Sequence, residues 1–360
     1  MTRMADPDPF AADAYDYELP RELVAQEPLA DRAAARLLVV RRDSGTIEHR
    51  RIRDLPDLLD HGDLLVVNDT RVVPARLVGR RAATGGRWEG LFLRAVSDTG
   101  SWVVLAQTRG RPAAGERIVL AGRDGADGLE LELVGRAEGG GWLARPLGPA
   151  ATEPPETVLA RVGRVPLPGY IRGGVERSGD LDRYQTVFAR TPGAAAAPTA
   201  GLHFTPEVFS ALAARGVGRA DVTLHVGLGT FRPISAATIT DHEMHSEWCA
   251  CPPETVAAVR EARARGGRVV AVGTTAVRTL ETAALGGGLS PWSGPTDLFI
   301  TPGFSFRVVD RLLTNFHMPR TTLMVLVSAL ASRALVMRAY DAAIRERYRF
   351  LSYGDAMLIL

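Results

Sequence analysis

The sequence predicts an α/β fold, a larger α/β domain with an inserted small antiparallel β-barrel domain. Three observations lead there. Between residues 36 and 74, and again from about residue 200 onward, buried-looking strands alternate with helices of amphipathic spacing. From Ala75 to about Ala150, short runs such as WEGLFLRAV, SWVVLAQ and ERIVLAG are separated by Gly, Asp and Ser turns, and no convincing helix interrupts them. The α/β texture lies on both sides of that stretch. The expected division is therefore a discontinuous catalytic domain, 1–74 plus 151–360, and a β-barrel insertion at 75–150.

Taken in order, Tyr17 to Gln26 reads as an extended lead into a short helix. Arg36 to Arg41 and Thr46 to Arg51 read as strands, and Arg53 to Asp60 as a short helix closed by Gly62. Asp63 to Asn68 is a buried strand ending in Asn68-Asp69-Thr70-Arg71. Polar residues at the carboxyl end of a strand are a common way to build a site in α/β folds, although Asn-Asp pairs also make plain turns. After the β module, Ala151 to Pro155 is a Pro-rich hinge, and Val165 to Ile171 an extended strip carrying Tyr170. Arg172 to Asp182 is a polar loop flanked by Arg183, and Tyr184 to Ala189 is strand-like.

The stretch from Ala194 to Pro233 is densest in chemistry. A small-residue loop delivers His203. Thr205-Pro206-Glu207 then starts a helix, with a capping hydroxyl, a proline of suitable φ and an acid at the positive end. Asp221 to Val226 is a strand whose end carries His225 into a Gly-rich loop with Thr230 and Arg232. His242, His245 and Glu247 follow within Ile239 to Trp248. Pro253 to Arg265 is a helix stopped by Gly266-Gly267, and Arg268 to Val272 a buried strand. Gly273-Thr274-Thr275 opens the next helix, leaving N–H groups and two hydroxyls at a positive end as an anion seat, with Arg278 one turn in to reinforce it. Many such turns merely cap. Asp297 to Ile300 reads as a strand, and Leu312 to Pro319 supplies Asn315 and His317. Thr321 to Ser332 and Leu335 to Arg347 are helices. Ser352-Tyr353-Gly354-Asp355 precedes a final apolar strand.

Composition bounds the chemistry. The chain has 360 residues, 46% hydrophobic and 23% charged, which is the balance of a globular protein with an ample core. The polar, acidic N-terminus is no secretory signal, and the longest apolar run, Leu323 to Ala331, is too short for a bilayer. Two cysteines, Cys249 and Cys251, make no disulfide framework and fit a reducing cytoplasm. All 43 basic residues are arginine. Base-composition bias explains that, yet it rules out a lysine Schiff base or a P-loop lysine.

Five of the seven histidines fall in loops between residues 203 and 317, which suggests one shared cleft. A metal site is not expected. His242 and His245 are three apart where a helical metalloprotease pair needs four, and Cys-Ala-Cys at 249–251 has the wrong spacing for a zinc knuckle. Gly-x-Ser-x-Gly and Gly-x-Gly-x-x-Gly motifs are absent. A cofactor-free pocket of His, Asp, Arg, Thr and Asn remains. It suits proton transfer and charge stabilisation in a transferase, isomerase or lyase.

Seven segments carry a resemblance: DLLVVNDTRVVPARL (63–77), RYQTVFARTPGAAAAPTAGLHFT (183–205), VTLHVGLGTFRPI (222–234), DHEMHSEW (241–248), RVVAVGTTAVRTLE (268–281), TDLFITPGFSFRVVDRLLTNFHMPRTTLMVLVSAL (296–330) and YRFLSYGDAMLI (348–359). Across almost its whole length the chain resembles the S-adenosylmethionine:tRNA ribosyltransferase-isomerases of queuosine biosynthesis, with the β module matching least. The resemblance implies transfer of the ribosyl part of S-adenosylmethionine to 7-aminomethyl-7-deazaguanine at position 34 of tRNA. The ribose is isomerised to give epoxyqueuosine, and adenine and methionine leave. It implies S-adenosylmethionine as substrate and no separate cofactor, a partner tRNA with a GUN-type anticodon, a monomer, no membrane association and a cytoplasmic location.

On that resemblance the expected base is His203 or His225, and the expected proton donor to adenine His317 or His245. Asp69 is expected to take or hold the amine proton. Thr274, Thr275 and Arg278 are expected to seat the methionine carboxylate or a tRNA phosphate. Arg71, Arg76 and Arg183 are candidates for anticodon-arm contacts. Tyr170, Thr230, His242, Glu247, Asn315 and Tyr353 complete the expected substrate-binding set. Two features depart from the family pattern: Gly169 where a second proline is usual, and the two cysteines. The alternatives are a tRNA-binding relative without catalysis, a same-fold transferase acting on free nucleosides and, last, a metal-dependent hydrolase.

Overall fold

The computed structural model describes residues 7–96, 100–137, 140–227 and 233–360. Eighteen strands occur among them. In chain order they are β1 (Arg36–Val40), β2 (Ile47–Arg51), β3 (Leu64–Asn68), β4 (Thr70–Val72), β5 (Arg76–Arg81), β6 (Arg87–Ala95), β7 (Trp102–Thr108), β8 (Arg117–Ala121), β9 (Asp127–Arg136), β10 (Trp142–Pro146), β11 (Gly163–Arg164), β12 (Thr191–Ala194), β13 (Gly218–Leu224), β14 (Glu247–Cys251), β15 (Val269–Val272), β16 (Trp292–Thr296), β17 (Arg311–Asn315) and β18 (Ala356–Ile359). The helices are α1 (Pro155–Val162), α2 (Asp180–Arg183), α3 (Pro206–Ala214), α4 (Pro253–Ala264), α5 (Thr274–Thr282), α6 (Thr322–Ala331) and α7 (Arg333–Arg345).

Nine strands form the large sheet in the order β16-β14-β13-β3-β15-β17-β18-β1-β2. Its centre, β13-β3-β15-β17, is parallel. The two central strands, β3 and β15, are apolar at nearly every position because both sheet faces are covered. Leu64, Val66, Val269, Ala271 and Leu312 point to one core, shared with α4 to α7. Leu65, Val67, Val270, Val272 and Leu313 point to the other, closed by α3 and Phe204. The four parallel strands end at the same edge, where Asn68, His225, Gly273 and Asn315-Phe316-His317 leave the sheet. That shared carboxyl edge is what builds a site in open α/β sheets.

β5-β6-β7-β10-β9-β8 form an antiparallel sheet closed by pairing of β5 with β8. The β-only stretch is therefore a barrel. Gly79 sits at the closure, where a Cβ would stand 2.3 Å from the Val119 carbonyl oxygen. The barrel interior is filled by Trp88, Trp102, Trp142 and aliphatic residues, and Val158, Leu159 and Val162 of α1 pack into the same core.

Local readings that differ have physical causes. Helix α1 stands directly after the stretch read as a hinge, with Pro155 at its first position. Tyr184 to Ala189 makes turns, because the Gln185 side chain takes the place of backbone pairing. Its amide accepts from Val72 N at 3.0 Å and donates to Val72 O at 2.8 Å. The strand expected at Asp297–Ile300 lies instead at β16, whose Gly294 and Pro295 are tolerated on a sheet edge. Among the described residues no single helix is long and apolar enough to cross a membrane, and α6 and α7 meet at 113°.

Candidate active site

A cleft opens at the carboxyl ends of β15 and β17, lined by Thr274, Thr275, Asn315, His317, Tyr170 and Ser352 among others. Gly273, at φ +88°, turns β15 directly into α5. Its N–H donates to Leu313 O at 2.7 Å, which pins the start of α5 against β17.

Two buried asparagines organise the cleft. Asn68 Oδ1 accepts from Thr70 N at 3.1 Å and from Leu224 N at 3.0 Å, while Nδ2 donates to Leu224 O at 3.0 Å and to Thr275 Oγ1 at 3.1 Å. It thereby ties β3, β13 and α5 together. Asn315 Oδ1 accepts from Thr199 Oγ1 at 2.9 Å, and Nδ2 points to Leu351 O, Asp355 O and His203 Nε2 at 3.2, 3.4 and 3.3 Å.

The five histidines do not share one cleft. His317 lines it. Its Nε2 lies 2.9 Å from Thr314 Oγ1, its backbone N–H donates to Tyr340 Oη at 2.9 Å, and burial pulls its imidazole down to about 3. His203 stands behind Asn315 and lowers to about 4, through burial and then the charges of Arg32 and Arg349. His225 precedes Val226, a lining residue. Its Nδ1 is 2.8 Å from Thr70 Oγ1 and its ring stacks on Trp248 at 5.1 Å. Partial burial lowers His225, and the Asp69 charge opposes that. His242 packs edge-on against Phe299 at 5.7 Å, and His245 is exposed; neither lines the cleft.

Asp69 is buried, accepting from Thr223 Oγ1 at 2.6 Å and pairing with Arg190 at 2.8 Å. Arg278 does not reinforce the α5 terminus. It is 2% exposed, paired with Glu247, and donates to Leu298 O at 3.2 Å and Thr296 O at 3.3 Å. Glu247 also accepts Gly227 N at 2.8 Å. This buried pair clamps β14 to α5. Arg76 is occupied by Glu89 at 2.7 Å and by Gly174 O, whereas Arg71 is exposed. Arg183 and Tyr353 line a second, smaller pocket with His203. Tyr170 Oη meets Ser352 Oγ at 2.8 Å, and burial pushes its phenol up to about 12. A Cβ at Gly169 would meet nothing within 4 Å, so the strip accepts glycine without requiring it. Thr230 and Arg232 lie outside the described residues.

Sequence reasoning missed Asn68, Thr199, Thr314 and Ser352 as site residues. Asn68 carried a signal, being a polar residue in the last position of an otherwise apolar strand. The other three are ordinary hydroxyls that only the fold brings together. Among the described residues no group of three or more His, Cys, Asp or Glu side chains is gathered for a metal ion. Burial raises the Cys249 and Cys251 thiols to about 11 and 12, which makes them poor thiolates.

The family described as queuosine biosynthesis protein matches residues 12–359. The S-adenosylmethionine:tRNA ribosyltransferase-isomerase of Symbiobacterium thermophilum is 52% identical over 96% of this chain and 98% of its own length. The protein of the same name from Moorella thermoacetica is 49% identical over the same shares. A crystal structure of S-adenosylmethionine tRNA ribosyltransferase from Thermotoga maritima, 39% identical, superposes with a TM-score of 0.55 and covers 96% of this chain and all of that one. By sequence along nearly its whole length and by fold, the chain belongs to the queuosine biosynthesis protein family.

Proposed function

We propose that the chain is an S-adenosylmethionine:tRNA ribosyltransferase-isomerase. It transfers the ribosyl group of S-adenosylmethionine to 7-aminomethyl-7-deazaguanine in tRNA and isomerises it, giving epoxyqueuosine with release of adenine and methionine. One observation carries this reading: about half of all residues are identical, over nearly the full length, to relatives bearing that name. The site agrees with it. The cleft is lined by apolar side chains, hydroxyls, the Asn315 amide and one neutral imidazole, and no charged side chain lines it among the described residues. Such a lining suits a nucleoside sulfonium, which brings its own charge.

The sulfonium acidifies the adjacent C5′ protons, and His225 takes one of them. His225 is preferred to His203 because Asn315 already occupies His203 Nε2, whereas Asp69 favours charge on His225. Asp69, engaged by Thr223 and Arg190, acts through His225 in this reading. His317 is neutral at physiological pH and serves the leaving adenine as a hydrogen-bonding imidazole rather than as an imidazolium acid. The α5 terminus at Thr274 and Thr275 receives the methionine carboxylate, and exposed Arg71 meets the tRNA backbone.

The same reading includes a tRNA with a GUN-type anticodon, action as a monomer in the cytoplasm without a further cofactor, and a division into 1–74 plus 151–360 and 75–150. Adenine release, followed by chromatography, tests it. Release must require both S-adenosylmethionine and an anticodon stem-loop carrying the aminomethyl base. Folded protein that binds both and releases no adenine contradicts the reading.

A further inference from the structure

Behind the main cleft lies a second, smaller pocket, lined by Arg32, Arg183, His203, Ser352 and Tyr353 and by the Pro28-Leu29 turn. Ser352 lines both cavities, and the Asn315–His203 contact forms the wall between them.

The charge in this pocket is unbalanced. Arg32 donates only to main-chain carbonyls: Gln185 at 2.8 Å, Asp182 at 3.3 Å, and Leu202 and Arg183 at 3.4 Å. Arg183 donates through Nη2 to Leu29 O, and its Nε is buried with no partner. Neither guanidinium has a carboxylate within 4.0 Å among the described residues, unlike the paired Arg76, Arg172 and Arg278. The nearby acid, Asp180, is taken by Arg172. Arg349 also acts on His203, with the Asp355 carboxylate partly offsetting its charge and with Nη1 buried and unpaired. Burial and Arg183 both lower Arg32, so the two guanidiniums repel each other across the pocket. A half-buried pair of like charges, with a guanidinium N–H left unpaired, is a receptor for an oxyanion.

We propose that this pocket seats a backbone phosphate of the tRNA anticodon loop, held by Arg183 over the scaffold that Arg32 fixes. The inference rests on tRNA being the acceptor, as proposed above. Two observations favour phosphate over the carboxylate of S-adenosylmethionine. The pocket is bordered by partly exposed Pro28, Leu29 and Arg183, within reach of a polynucleotide. The α5 terminus, in the main cleft itself, already offers a seat for the carboxylate. A guanidinium fork also matches phosphate geometry. The seat would anchor the loop next to the cleft that receives its base.

The test compares wild type with Arg183→Gln, which removes the charge, and with Arg183→Lys, which keeps the charge and loses the fork. Stem-loop affinity is measured across a salt series, and S-adenosylmethionine affinity by calorimetry. Adenine release by wild type checks the underlying reaction separately. The expected result for Arg183→Gln is about tenfold weaker stem-loop binding, a salt slope smaller by about 0.7, and unchanged S-adenosylmethionine affinity. Arg183→Lys should restore the slope and only part of the affinity. Active wild type together with unchanged stem-loop affinity and slope in Arg183→Gln overturns the seat. So does a loss confined to S-adenosylmethionine binding, which would identify the carboxylate as occupant.

Discussion

Asn315 Nδ2 stands 3.3 Å from His203 Nε2, so the amide donates and the imidazole lone pair is taken. This places the proton of neutral His203 on Nδ1. His203, within the family-like segment 183–205, is thus a buried acceptor in a wall between two cavities, rather than an open base.

That environment predicts acid sensitivity. Folding lowers His203 from 6.5 to about 4, so between those values the unfolded chain binds more protons than the folded one. Stability is full above pH 6.5 and falls as pH drops toward 4, by an amount on the order of 3 kcal/mol from this group. Denaturant unfolding at pH 7 and pH 5 checks it. The His203→Gln variant should lose less stability between the two than wild type, and an equal loss in both proteins would refute the assignment.

His225 governs the activity profile in this account. Partial burial lowers it below 6.5, so the acid limb of kcat/KM for adenine release should lie below pH 6.5. His225→Gln should lower kcat by about 10²- to 10⁴-fold and remove that limb. His317→Gln should lower the rate without moving the limb, since His317 is already neutral throughout. A limb above pH 7, or one that survives His225→Gln, counts against the assignment.

Asn68 predicts a stability cost rather than a catalytic one. Asn68→Ala leaves buried Thr70 N and Leu224 N without their acceptor, at about 1–3 kcal/mol each. Thermal unfolding should show a clear drop in Tm. Thr275→Val keeps the shape but removes the acceptor of one Asn68 Nδ2–H; it should lower Tm less than Asn68→Ala does and weaken S-adenosylmethionine binding several-fold.

The Arg278–Glu247 pair separates two readings of α5. If it clamps strand to helix, Glu247→Ala destabilises by about 3–5 kcal/mol because Arg278 is left buried and unpaired. Arg278→Met combined with Glu247→Leu should recover much of that loss and bind S-adenosylmethionine as wild type does. Loss of S-adenosylmethionine binding in the folded double variant would return Arg278 to the anion seat.

Periodicity and turn chemistry made much of this molecule legible. The apolar runs at Leu64–Asn68 and Val269–Val272 are strands buried on both faces, and the glycine-punctuated stretch after Ala75 is a closed barrel, whereas the strand Arg311–Asn315, with only two apolar residues in five, does not read as one. The polar ends of those strands foretold the cleft edge. What stayed hidden depends on partners remote in sequence. Arg278 looks like an anion ligand until Glu247, 31 residues away, is seen to take it. Gln185 replaces a strand pairing with its side chain, 113 residues from Val72. Clustering of histidines along the chain was a poor guide, because His242 and His245 face Phe299 and solvent rather than the cleft.

The most direct measurement is mass spectrometry of an anticodon stem-loop carrying 7-aminomethyl-7-deazaguanine, incubated with the protein and S-adenosylmethionine in the presence of chelator. The account predicts a product bearing the epoxycyclopentanediol mass, with adenine released in equal amount. An unchanged stem-loop mass with S-adenosylmethionine still bound would contradict it.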